Sequence, residues 1–230
     1  MSDPRDRAKA AAAEAAVAEV RAGMLVGLGT GSTAAFAIAA LGRRVADGLS
    51  VTAAATSLAT ERAARAAGIE VIAFEDVGRV DLAIDGADEI DPRCRAIKGA
   101  GGALLREKVV AASAGRMICI VDDSKPVAQL GAHPLPIEVL PFARRFVCDA
   151  IERLGGRPRL RRAPTGEPAL SDQSNLLIDC AFGPIADPAA LARALDAIPG
   201  LLGHGLFLDD IDTVLIGSSQ GVERRERSGG

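Results

Sequence analysis

Met24-Leu-Val-Gly-Leu-Gly-Thr-Gly-Ser-Thr33 decides the fold: an apolar run breaks into alternate glycines and then into a helical pattern. Met24 to Leu28 reads as a buried strand, the glycines as a tight turn, and Ser32 to Leu41 as the helix that follows. On the N-terminal side, alanines alternating with Lys9, Glu14, Glu19 and Arg21 predict an amphipathic helix over Asp6 to Ala22. On the other side, Val51–Ala55, Glu70–Phe74 and Val80–Ile84 read as strands, with a helix over Leu58–Ala67. A further helix over Leu104–Ser113 leads into an apolar central strand, Arg116–Val121. Strands alternating with helices in this way build a mostly parallel sheet flanked by helices.

The expected architecture is therefore α/β, with a Rossmann-like domain over residues 1–130. From Gly131 the character changes, and proline becomes frequent (Pro134, Pro136, Pro141). The pieces Leu135–Leu140, Ala143–Leu154, Arg157–Arg162, Asn175–Ala181, Pro188–Ala197 and Leu201–Leu208 follow a strand-helix-strand-strand-helix-strand order. That order predicts a smaller ferredoxin-like α+β domain over 131–208. Val214–Ile216 reads as a strand returning to the first sheet, so 209–222 complete the first domain. The polar tail at 223–230 is expected to fray.

Composition bounds the function. At 49% hydrophobic and 25% charged residues the chain can bury a core and keep a polar surface. A net charge of −3 argues against nucleic acid as a partner. The apolar runs fall well short of the roughly 20 residues of a membrane helix, and the amphipathic N-terminus is unlike a secretion signal. A cytoplasmic location is the expectation. Cys94, Cys119, Cys148 and Cys180 form no closely spaced pair, and neither His133 nor His204 has a partner at metal-ligand spacing. Reduced, core-filling cysteines, no metal and no cofactor are expected, and a histidine-based triad is disfavoured.

Three segments carry candidate chemistry. Gly27-Leu-Gly-Thr-Gly-Ser-Thr33 exposes amides at a helix N-terminus, with Thr30, Ser32 and Thr33 adding hydroxyls suited to phosphate; the plain alternative is a βα turn with Ser32 as N-cap. A dinucleotide site would want an acid after the next strand, where Thr56-Ser57 stands instead. Asp85-Gly-Ala-Asp-Glu-Ile-Asp91 sets four acids at a strand's carboxyl end. Asp85 and Asp88 read as ligand-facing there, Glu89 and Asp91 as a solvated turn. In Lys98-Gly-Ala-Gly-Gly-Ala-Leu-Leu-Arg-Glu-Lys108 a lysine precedes a flexible glycine loop and a helix carrying Glu107. A carboxylate that takes a proton from carbon and an ammonium that steadies the oxyanion make a mechanistic pair. Lys125 stands at another strand's carboxyl end.

In order and spacing these segments resemble type A ribose-5-phosphate isomerases. The resemblance continues through Leu135-Pro-Ile-Glu-Val139, Leu154-Gly-Gly-Arg-Pro158, Asp172-Gln-Ser-Asn175 and Ala197-Ile-Pro-Gly200, and runs from Lys9 to about Gly221. It implies that Glu107 is the general base, with Asp85, Asp88 and Lys98 at the sugar end. It further implies that Lys9, Thr30, Gly31, Ser32, Thr33 and Lys125 lie around the substrate and its phosphate. Gly86, Ala87, Gly99, Ala100 and Gly101 complete the binding segments in the same reading. A homodimer and no required metal or cofactor are implied as well. Two rivals stand beside it: a related sugar-phosphate deaminase, whose catalytic histidine has no obvious candidate, and a non-enzymatic sugar-phosphate sensor, which would need neither Lys98 nor Glu107.

Overall fold

Residues 3–227 are described by a computed structural model, in which the chain divides into two units. The first comprises the residues up to Ala87, Arg106–Lys125 and those from Asp209 on; the second comprises Asp88–Leu105 and Pro126–Leu208. In chain order the elements begin α1 (Pro4–Val17), β1 (Leu25–Leu28), α2 (Ser32–Ala46), β2 (Thr52–Ala55), α3 (Leu58–Ala66), β3 (Glu70–Val71) and β4 (Leu82–Asp85). Then come β5 (Glu89–Ile90), β6 (Ala96–Ile97), α4 (Leu104–Ser113), β7 (Met117–Asp122), β8 (Leu135–Val139) and α5 (Arg144–Arg153). The chain ends with β9 (Arg157–Leu160), β10 (Leu176–Ala181), α6 (Pro188–Asp196), β11 (Leu201–His204), β12 (Leu206–Phe207), β13 (Thr213–Ser218) and β14 (Gly221–Glu226).

The first unit is a seven-stranded sheet in the order β14-β13-β7-β4-β1-β2-β3, parallel except for β14. The chain runs outward from β1 to β3, then returns to β4 and builds in the other direction. The β1/β4 boundary is thus the topological switch point, outside whose carboxyl ends doubly wound sheets bind ligands. Val26, Leu28, Ile84, Ile118 and Ile120 are among the strand residues of a core that also takes in Ala12, Ala13 and Ala16 of α1. Small residues let α1 lie close: a Cβ on Gly217 would come within 1.9 Å of the Ala8 carbonyl oxygen. The helix stops at Val17, short of the expected Ala22. Arg44 donates to the carbonyls of Val17 and Val20 there, satisfying groups a longer helix would bond internally.

The second unit holds the expected βαββαβ order. Its four-stranded antiparallel sheet, β11-β8-β10-β9, packs Ile137, Val139 and Ile178 against Val147, Ile151 and Leu195 of its helices. Glu138, fully buried on β8, accepts from Ser171 Oγ (2.7 Å) and Asn175 Nδ2 (2.8 Å), which ties the 171–175 turn to the sheet.

Three expectations need correction. Residues 88–105 and 126–130 group with the second unit, because their backbone bonds end there: β6 pairs with both β5 and β12, and Val127 N donates to Ile90 O. The expected strand 201–208 is two strands in different sheets. Gly205 divides them where a side chain would strike the Lys98 carbonyl at 2.1 Å. The tail at 223–226 is not frayed; it lies in edge strand β14, paired along its length with β13. Its charged side chains protect an exposed edge, while residues 228–230 lie outside the described residues.

Candidate active site

In the first unit, β1 and β4 end side by side and each delivers a functional segment. Gly29 lies so close to the end of β4 that a Cβ on it would sit 1.8 Å from Asp85 Oδ1. Asp85 is 4% exposed, and Oδ1 accepts from Thr30 N (3.1 Å) and Gly86 N (2.7 Å). The glycine turn therefore fixes the carboxylate through both close packing and an amide. Gly31, at φ +108°, is the N-cap of α2 and Ser32 its first residue, so the plain reading of Ser32 as a cap does not hold. No side chain caps this helix start. Ser32 Oγ instead accepts from Lys9 Nζ (3.1 Å).

Thr30 is placed differently from expectation. Its hydroxyl sits among Thr56 Oγ1 (2.9 Å), Ser57 Oγ (2.9 Å) and Thr60 Oγ1 (3.1 Å), pinning the start of α3 to the loop. At the end of β7, buried Asp122 accepts from Ser124 N (3.0 Å) and from the Ser124 hydroxyl. Burial alone would raise its pKa, but those bonds and the charges of Lys125 and Lys9 outweigh it and hold the carboxyl below its usual range. Lys9, Ser32 and Lys125 thus gather near one end of the sheet. Glu107, in the first turn of α4, is 4% exposed, and with Asp85 it lines a small interior space bounded by Gly27, Gly29, Thr56 and Met117. Gly27 admits the helix: a Cβ there would meet Val110 Cγ1 at 2.5 Å.

The second unit holds Asp88, Lys98 and the glycine loop. Asp88 N donates to Ile97 O (2.8 Å), and Asp88 Oδ2 accepts from Ala100 N (3.0 Å). Lys98 is 2% exposed, with Nζ 5.1 Å from the centroid of the Phe207 ring, a cation–π contact that offsets part of its desolvation. The loop after it is laid down rather than free. Gly99 and Gly102 take φ +108° and +80°, Gly102 N donates to Gly99 O (3.0 Å), and a Cβ on Gly99 would meet Leu104 Cβ at 2.8 Å. Gly86 and Ala87 are half-buried at the end of the first unit's segment, while Ala100 and Gly101 are exposed.

Glu89 and Asp91 are not a solvated turn. Glu89 is 4% exposed and accepts from the amides of Gly131 and His133; Asp91 is 2% exposed, accepts from Arg93 N and Arg95 N, and pairs with Arg95 at 2.6 Å. Both acids close loops. Among the described residues, no group of three or more His, Cys, Asp or Glu is set to hold a metal ion. All four cysteines are unbridged.

The family model for ribose 5-phosphate isomerase A (phosphoriboisomerase A) matches residues 52–221. The ribose-5-phosphate isomerase A of Thermomicrobium roseum is 53% identical over 97% of this chain and 95% of its own. The chain belongs to the ribose 5-phosphate isomerase A family. Solved structures agree. The ribose 5-phosphate isomerase A of Methanocaldococcus jannaschii superposes with a TM-score of 0.91 at 36% identity, covering 95% of this chain and 97% of that one. A D-ribose-5-phosphate isomerase in complex with phospho-erythronic acid gives 0.94 at 34% identity, covering 99% and 100%. Within this isomerase-family fold, sequence reading missed the residues that hold the named ones: Phe207 beneath Lys98, the Thr56-Ser57-Thr60 hydroxyls around Thr30, and Arg161. No local pattern marks them, since each acts on a partner far away in the chain.

Proposed function

We propose that this protein interconverts ribose 5-phosphate and ribulose 5-phosphate through an enediolate. The observation that carries this reading is the end-to-end likeness to proteins named for that reaction. One of them was solved with phospho-erythronic acid, a phosphorylated sugar acid whose carboxylate resembles the charge of an enediolate. In the open-chain aldose, the Glu107 carboxylate takes the proton from C2 and returns it to C1, while the O2 hydroxyl proton passes to O1. The Lys98 ammonium stabilises the negative oxygen of the intermediate. Asp85 or Asp88 assists opening of the furanose ring, because only the open aldehyde reacts. Near-complete burial of Glu107 and Lys98 supports these roles, since charge interactions strengthen where water is scarce. The amides of residues 31–33, the hydroxyls of Ser32 and Thr33, Lys9 and Lys125 bind the phosphate, Thr30 shapes the turn that presents them, and Gly86, Ala87 and the 99–101 loop line the sugar.

In the same reading the enzyme works as a cytoplasmic homodimer in the non-oxidative branch of the pentose phosphate pathway, a placement supported by the family resemblance. The deciding experiment is Glu107→Gln, assayed by formation of ribulose 5-phosphate. A neutral amide cannot accept the carbon-bound proton, so kcat is expected to fall about 10²–10⁴-fold in a folded protein. Near wild-type kcat would remove Glu107 from the mechanism.

A further inference from the structure

We infer that Arg161, held by Asp179, is a positioning residue that fixes the shape of the 99–102 loop; this rests on the proposal that Lys98 and Glu107 carry the reaction. Arg161 follows directly after β9, and its N–H donates to Leu177 O (2.9 Å). Asp179 on β10 grips the guanidinium through two bonds, Nε to Oδ2 at 3.0 Å and Nη2 to Oδ1 at 2.5 Å. A planar fork held along one edge has its remaining nitrogen aimed in a set direction. That nitrogen, Nη1, donates to Gly99 O (3.2 Å) and Ala100 O (2.9 Å). Because Ala100 N donates to Asp88 Oδ2, residue 100 is held at both its N–H and its carbonyl.

The loop needs such a hold. Gly99, Gly101 and Gly102 give it the greatest backbone freedom a chain can have, and ordering each glycine costs more entropy than ordering any other residue. Lys98 stands at the start of this segment and Asp88 bonds its middle, so a wandering loop would loosen both. The Arg161–Asp179 side chains are 17% and 28% exposed, which makes the pair stronger than a surface ion pair. Lysine cannot replace arginine here: a single ammonium cannot grip Asp179 along one edge and reach two carbonyls with the other.

The test uses full-length Arg161→Met, Arg161→Lys and Asp179→Asn beside Lys98→Met and Glu107→Gln. It measures kcat and KM for ribose 5-phosphate, the thermal midpoint, and amide hydrogen exchange at Ala100 and Gly102. Arg161→Met is expected to lower kcat about 30–100-fold, the scale of a misplaced catalytic segment, with KM changed less than about threefold. Exchange at the two amides should rise about tenfold or more while the rest of the protein keeps its protection. Arg161→Lys should fall between wild type and Arg161→Met, and it carries the test should Arg161→Met not fold. Unchanged exchange with kcat within about twofold in Arg161→Lys and Asp179→Asn would overturn the inference, as would losses that merely track the thermal midpoint. If Lys98→Met and Glu107→Gln abolish turnover while the Arg161 variants keep kcat within about twofold of wild type, only the role of Arg161 falls. If all five variants stay active, the reading of the site falls, and this inference with it.

Discussion

Gly29→Ala tests whether the glycine turn exists to set Asp85. A methyl at position 29 would lie 1.8 Å from Asp85 Oδ1 and 2.0 Å from its Cγ. To regain ordinary contact the carboxylate must retreat by roughly 1.5 Å. That displacement breaks or badly stretches its bonds from Thr30 N and Gly86 N, now 3.1 and 2.7 Å. Hydrogen bonds to a charged group contribute about 1.5–3 kcal/mol each, so the cost is about 3–6 kcal/mol if both are lost and about half that if one re-forms. For a carboxylate in the role proposed for Asp85, a shift of this size is worth about 10²-fold in rate. Gly23→Ala is the control. Unlike Gly29 it has a positive φ, at +83°, and nothing lies within 4 Å of the added methyl, so it bears backbone strain without a clash. It is expected to lose about 1–2 kcal/mol and keep its turnover. Ribulose 5-phosphate formation and urea unfolding of both variants separate the two effects. The reasoning is refuted if Gly29→Ala keeps kcat/KM within about threefold and unfolds no earlier than Gly23→Ala.

Phe207→Leu removes the ring beneath Lys98 and is expected to lower kcat about tenfold with little change in KM, the scale of a desolvated cation–π contact; unchanged kcat would show that the ring only fills space. Lys125→Ala should weaken ribose 5-phosphate much more than free ribose, because remote binding energy orients the reacting carbons; an equal loss on both substrates would take Lys125 away from the phosphate. Glu19 bonds Arg116 and Arg224, and although burial alone would raise its pKa, those bonds and charges lower it. A depressed carboxyl pKa means stability that is complete above the unfolded value of 4.5 and lost as pH falls through the folded one. Glu19→Gln should therefore melt about 2–4 °C earlier than wild type at pH 7, with the gap closing in acid; a gap constant with pH would contradict this.

The sequence disclosed the parts whose signal is local. Alternating apolar runs and helical spacing place β1, β2, α3, β7 and the first five elements of the second unit's βαββαβ order within a few residues, together with the starts of α2 and β11, and the glycines after β1 mark the turn that meets Asp85. Two-residue strands such as β5, β6 and β12 carry no period at all, so the sheet that draws 88–105 into the second unit is invisible before folding. Glu89 and Asp91 read as solvated because acids usually are; what buries them is a set of amides, at 131 and 133 for Glu89 and at 93 and 95 for Asp91. The candidate site divides along the same line. Glu107, Lys98, Asp85 and Asp88 are legible because a carboxylate or an ammonium can do only a few things wherever it stands. Phe207 and Arg161 are ordinary residues until the fold brings Lys98 or the Gly99 and Ala100 carbonyls to them. Residue type thus announces the chemistry, whereas the groups that aim it are defined by their partners, and only the folded chain supplies those.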